Sequence, residues 1–214
     1  MSTIEKIFII GLPRTGTTSV CAAMLDLGFT VAHTAYTDRA FNEAQVIADT
    51  PVFCDYQALD KAYSGAKFIY LERDLANWLP SIQQLLSRMH VNLVRDDGGF
   101  NPIIKRCYQA TFAPYSLSNI ADFDFLTHCY QQHKAQAQHY FSNKADDFLS
   151  IDISAEQSYD QLLNFLDLTP YQSSNSGFKK LNVGGKVTAW KDIKSALKVD
   201  STNKGRVTKL PYII

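Results

Sequence analysis

Nothing in this chain asks for a membrane, a disulfide framework or a polyanionic partner. No apolar run approaches the roughly 20 residues of a membrane-spanning helix. The first ten residues are too short for a secretory signal and carry Glu5. These absences lead us to expect a soluble, cytoplasmic protein. An excess of one charge is missing too: 21 Lys and Arg balance 21 Asp and Glu. No global field therefore gathers nucleic acid or an anionic bilayer, and only a local basic pocket stays open. Cysteine is sparse and scattered, at Cys21, Cys54, Cys107 and Cys129, without a CxxC pair. Free thiols in or near the core fit this better than disulfides or a metal site. His128, His133 and His139 are spaced by five and six residues, which does not put a metal-binding pair on one helix face. They read as solvated, and no metal is expected. No internal repeat is present. What is there, 46% hydrophobic and 20% charged residues over 214 positions, suits a single globular domain covering 1–214.

The most informative stretch runs from Lys6 to Val20. Ile7 to Ile10 has the composition of a strand buried on both faces, as in a parallel sheet. Gly11 and Pro13 stop it, Gly16 allows a sharp turn, and Thr17, Thr18 and Ser19 open a helix that continues to Leu25. Strand, tight loop and helix start together aim free N–H groups and hydroxyls at one point, which is an anion site. The spacing Gly11-x4-Gly16-Thr17-Thr18 is close to a nucleotide-triphosphatase loop. The Lys expected after the second glycine is replaced by Thr17, and the loop's cation is Arg14.

The rest alternates strand and helix. Phe29 to Ala32 reads as a strand ending in His33, then Thr37 or Asp38 caps a helix from Arg39 to Ala48, with Phe41, Ala44 and Ile47 or Ala48 at helical spacing. Asp49-Thr50-Pro51 ends it, and an extended stretch and a short helix follow. Ala66 to Asp74 is a buried-type strand ending in charges, with Asp74 capping a helix from Leu75 to His90. Residues 91–123 look irregular and rich in aromatics, an insertion or lid that could line an acceptor pocket. A long helix covers Phe123 to Phe141. Phe148 to Ile153 is a strand, and Ser154 to Gln157 has the form of a capping box opening the next helix. Residues 171–214 form a C-terminal extension whose Gly184-Gly185-Lys186 turn could close over a phosphate or belong to a mobile basic tail. The fold class is α/β: a mostly parallel sheet in a three-layer α/β/α arrangement of the P-loop nucleotide-binding type. Its ligands would collect at the carboxyl ends of the strands, near Arg14, Asp49 and Arg73.

Pro13-Arg14-Thr15-Gly16-Thr17-Thr18 resembles the 5′-phosphosulfate loop of the sulfotransferase superfamily. Phe68 to Asp74, with Trp78 and with Ser81 eight residues after Arg73, resembles that family's 3′-phosphate segment. The resemblance extends over most of the chain and is to its short, single-domain branch. It implies 3′-phosphoadenosine 5′-phosphosulfate as donor, 3′,5′-bisphosphoadenosine as product, and a small-molecule alcohol, phenol or amine as acceptor. It also implies that Pro13 to Ser19, Arg73 and Ser81 hold the donor, with a looser match at Gly185 and Lys186. The chemistry suits the residues, since a guanidinium pairs with phosphate bidentately and a hydroxyl adds a directed donor.

Two departures stand out. Arg14 replaces the commoner Lys, and the family's His-x-Pro base has Asp49-Thr50-Pro51 as its nearest counterpart. Arg14, Asp49 and His33 are thus the catalytic candidates, with Glu43 a third choice of base behind Asp49 and His33. Two other classes fit parts of the pattern. One is a P-loop small-molecule kinase with Thr17 or Thr18 and Asp152 on magnesium. The other is a nucleotide-binding protein without catalysis.

Overall fold

The computed structural model describes residues 6–168, 177–179, 181 and 189–212. Five strands form one sheet: β1 (Ile7–Ile9), β2 (Val31–Ala32), β3 (Val46–Ala48), β4 (Lys67–Glu72) and β5 (Phe148–Asp152). Their order is β2-β3-β1-β4-β5, and every pairing is parallel. From β1 the chain moves out to β2, returns to β3 at the flank of β1, then crosses to β4 and β5. The winding direction therefore reverses at β1, and ligands of such sheets bind at the carboxyl end of that switch point.

The sheet is covered on both faces because β1, β2, β3 and the middle of β4, Phe68 to Leu71, are apolar and buried at every position. Phe8, Ile47, Phe68 and Tyr70 face one side. They pack against α2 (Asp38–Glu43), α3 (Val52–Ala62) and α7 (Phe123–Tyr140). Ile7, Ile9, Val46, Ile69 and Leu71 face the other side. There they meet α1 (Thr17–Asp26), α8 (Ser158–Phe165) and α9 (Ala189–Asp192). A third cluster joins α4 (Leu75–Val94), α5 (Pro102–Thr111), α6 (Leu117–Ala121) and α7 around Trp78, Tyr108 and Phe112. The α/β class and three-layer architecture read from the sequence are those observed. Among the described residues no helix is long and apolar enough to cross a membrane.

Several local expectations are corrected. The segment read as one helix to Ala48 splits: α2 stops at Glu43, Ala44 is extended, and β3 follows. Phe41, Ala44 and Ile47 do share a face, which produced the helical spacing. Val46 and Ala48 are equally buried and pack on the opposite side, and only a strand sends alternate neighbours to two cores. This correction matters for function, because it turns Asp49 from a helix end into the residue after a central strand. The stretch 91–123 is mostly helical, with Cys107, Tyr108, Phe112 and Ile120 buried. Ser154 does not cap a helix. Its N–H and hydroxyl both donate to Asp152 Oδ1, at 2.8 and 2.7 Å, and α8 begins only at Ser158. Residues 197–199 run beside β2, with Val31 N–H donating to Leu197 O and Val199 N–H to Val31 O, both at 2.9 Å. Tyr212 donates to Asp55 Oδ2 at 2.8 Å, so the described C-terminal residues are docked against the domain.

The four cysteines are free, with Cys21, Cys107 and Cys129 buried and Cys54 half-buried. His133 departs from the expectation of solvated histidines. It is 8% exposed, with Nε2 2.8 Å from Phe53 O and Nδ1 3.1 Å from the Tyr70 hydroxyl. Burial pushes its pKa down to about 4, against the weaker opposing effect of its bond to Phe53. As pH falls below the unfolded value of about 6.5, the unfolded chain gains a proton that the folded one refuses. Stability present above pH 6.5 is then lost toward pH 4, by about 3 kcal/mol from this group. We expect His133→Gln to flatten the pH dependence of unfolding free energy in that window. Parallel profiles for parent and variant would remove His133 as the cause.

Candidate functional site

The loop between β1 and α1 is held from several sides. Gly11 lies against β4 so closely that an added Cβ would sit 2.6 Å from Leu71 Cβ and 2.7 Å from Leu71 N. Gly16, at φ 105°, precedes α1, and a Cβ there would meet Ile153 Cδ1 at 2.4 Å. Thr15 closes the turn from within, its hydroxyl donating to Leu12 O at 2.6 Å. Trp78 on α4 donates its indole N–H to Pro13 O at 2.9 Å. Arg14 itself takes a left-handed backbone, φ 73°, which is uncommon for a side chain of that size.

Helix α1 starts inside the protein. Thr17, Thr18 and Ser19 are at most 7% exposed, yet no side chain caps the helix. A buried helix start carries N–H donors and a partial positive charge that call for a partner.

Beside it stand the cations. Arg14 Nε donates to Ser81 Oγ at 2.8 Å, and Arg73 donates to Arg14 O at 2.6 Å. Arg73 is fixed in turn by Tyr130, whose hydroxyl accepts from Arg73 N at 2.9 Å and donates to Arg73 O at 3.1 Å. Tyr130 also packs on Trp78, ring centres 4.8 Å apart. Burial, then the charges of Arg73 and Arg88, lower the pKa of Arg14. A guanidinium stays protonated through such a shift, so Arg14 keeps its charge while half-buried beside those of Arg73 and Arg88. Arg88, further along α4, donates to Gln84 O at 3.2 Å and Gln84 Oε1 at 2.8 Å.

Across the switch point lie the acid–base candidates. Asp49 follows β3 with φ 54°, a conformation Asp adopts more readily than most residues. It accepts from the Thr50 hydroxyl at 3.0 Å. Its charge bears on Arg14, His33, Tyr36 and Tyr108. His33, at the end of β2, has Nε2 2.9 Å from Thr18 Oγ1 and its ring 5.3 Å from that of Trp190. Burial lowers its pKa, Asp49 opposes this, and Lys198 adds to it, so the imidazole is neutral at neutral pH. Glu43 is out of reach. It is exposed, paired with Arg39 at 2.8 Å, and precedes β3 at the amino edge of the sheet.

A family model described as a sulfotransferase domain matches residues 6–37 and 33–185. The chain belongs to the sulfotransferase domain family. No curated protein matches its sequence. In this sulfotransferase-domain protein the matched region covers all five strands, the β1–α1 loop, Asp49, Arg73 and Ser81. The structure brings Pro13 to Ser19, His33, Asp49, Arg73 and Ser81 to one edge. Gly185 and Lys186 lie outside the described residues. Sequence reasoning missed Tyr130, which reads as one more apolar position on α7, and Arg88. The latter had a signal: Ser81 and Arg88 are seven residues apart, two turns on one helix face.

Proposed function

We propose that the protein transfers a sulfuryl group from 3′-phosphoadenosine 5′-phosphosulfate to a hydroxyl or amine of a small molecule, releasing 3′,5′-bisphosphoadenosine. The observation that carries the reading is the buried, uncapped start of α1 beside the Arg14–Ser81–Arg73 cluster. The donor supplies an activated sulfuryl group and a phosphate leaving group. The loop from Pro13 to Ser19 would hold its 5′ end, chiefly through N–H groups at the start of α1, and Arg73 and Ser81 its 3′-phosphate, with Gly185 and Lys186 as further donor contacts. Arg14 stands where negative charge grows on the leaving phosphate, and Asp49, or failing it His33, takes the acceptor's proton. A kinase reading finds less here. Thr17 stands where a loop Lys would meet the phosphates, and Asp152 Oδ1 closes its own turn with Ser154.

Donor class is tested by calorimetry with 3′,5′-bisphosphoadenosine, its 3′-hydroxyl analogue, and ATP with magnesium. The parent should prefer the first. Arg73→Ala should weaken that nucleotide at least tenfold, since losing a charge-assisted hydrogen bond costs on the order of 1.5–3 kcal/mol. Ser81→Ala should weaken it less. Because Arg73 and Ser81 also brace Arg14, both nucleotides suffer some loss, and the difference between them isolates the 3′-phosphate. Equal losses, or a parent that prefers ATP with magnesium, would sink the donor assignment.

A further inference from the structure

Away from the switch point, α3, α5 and α7 enclose a cavity of about 420 Å³ whose wall includes Cys54, Thr111, Cys129 and His133. Cys54 is the half-buried cysteine and stands in the first turn of α3, which begins at Val52. A helix start favours a thiolate, and so does a nearby guanidinium. Arg106 supplies one, 3.9 Å from the Cys54 sulfur, and is held there by a two-pronged pairing with Asp55 at 2.8 and 2.6 Å. The same pairing locks α3 to α5 at the residues next to Cys54 and Cys107. Cys107 is buried in the α4–α7 cluster, and Cys54 packs against that cluster from its edge.

We infer that Cys54 and Cys107 form a peroxide-sensitive dithiol, with Cys54 as the thiol attacked first and Cys107 as its resolving partner. In the first step the Cys54 thiolate attacks a hydroperoxide, which is reduced to the alcohol or water while Cys54 becomes a sulfenic acid. In the second the Cys107 sulfur displaces the sulfenic oxygen, which leaves as water with the Cys107 proton, and an S–S bond forms. Two thiols are oxidised for each peroxide reduced.

The electrostatics separate Cys54 from the other cysteines. Its thiol is lowered, first by its contact with Cys107, against burial and the Asp55 carboxylate, with Arg106 adding a smaller lowering. Cys107 is raised by the same contact and by burial. Burial raises Cys21 well above its ordinary value and takes Cys129 up to about 11. The inference concerns the thiols alone and stands whether or not the transfer reaction above is right.

The test is limited hydrogen peroxide, blocking of remaining thiols under denaturing conditions, and peptide mass mapping without reductant. We expect a bridged peptide pair carrying Cys54 and Cys107, with Cys21 and Cys129 still reduced. Cys107→Ser should stop at a sulfenic acid on Cys54 that a cyclic diketone traps. Arg106→Gln, which leaves both sulfurs in place, should slow the first step by up to about tenfold through the lost thiolate fraction. Oxidation of Cys54 no faster than Cys129, a 54–129 bridge, or only chain-to-chain disulfides would overturn the assignment.

Discussion

Arg14→Ala is expected to lower sulfuryl transfer by on the order of 10²–10³-fold, the loss typical when one donor to developing negative charge is removed, while leaving the fold almost untouched. The two halves of this expectation come from the same geometry. Arg14 is half-buried, its side chain bonds to Ser81, and its charge is opposed by those of Arg73 and Arg88. In the free protein that arrangement gains little, because the repulsion of neighbouring cations offsets the bond. Truncation therefore costs little stability and relieves some repulsion. An anion reverses the balance, since every repelling cation becomes an attracting one, most strongly where charge accumulates in the transition state. Arg14→Lys should fall between parent and Ala: it keeps the charge, but an ammonium cannot reproduce the planar fork that now reaches Ser81. The comparison needs turnover and an unfolding midpoint on each variant, with any phenol or alcohol the parent accepts. Parental turnover in Arg14→Ala would remove Arg14 from the site and the loop assignment with it.

The parts of this molecule that could be read in advance are those whose information is local. The β1–α1 loop encodes strand, turn and helix start in successive residues, and each glycine there answers a contact or a φ that other residues resist. Thr37 and Asp74 cap α2 and α4 as read, accepting from Ala40 N and Asn77 N. Arg73 and Ser81 meet Arg14 because a strand end and the first turns of the next helix are fixed relative to each other. What escaped reading depends on partners far along the chain. Three residues suffice for β3 only because β1 and β2 flank it, and Phe41, Ala44 and Ile47 imitate a helix. His133 is buried by Phe53 and Tyr70, which are far from it in sequence. Tyr130 acts on the backbone of Arg73 across 57 residues, and no spacing rule announces such a contact.

The reading of β3 bears directly on the base. An acceptor hydroxyl must lose its proton as it attacks sulfur, so a proton acceptor has to stand near it, on the side away from the leaving phosphate. Asp49, the proposed base, follows β3 at the carboxyl edge and next to β1, where its charge bears on both Arg14 and His33. His33 is neutral and could accept a proton, but its Nε2 is engaged with Thr18, which ties it to the loop and suits it better to positioning. Asp49→Asn keeps the size and an oxygen for the Thr50 hydroxyl while removing the basicity. It should lower turnover ~10²-fold or more with donor affinity changed by no more than a factor of about three. His33→Ala separates the two roles: as a positioning residue it should alter donor binding through Thr18 more than it alters turnover with donor in excess. Near-parental turnover in Asp49→Asn with a collapse in His33→Ala would reverse the assignment and make the imidazole the base. Collapse in neither would place the base outside these two residues, or point to an acceptor acidic enough to arrive already ionised.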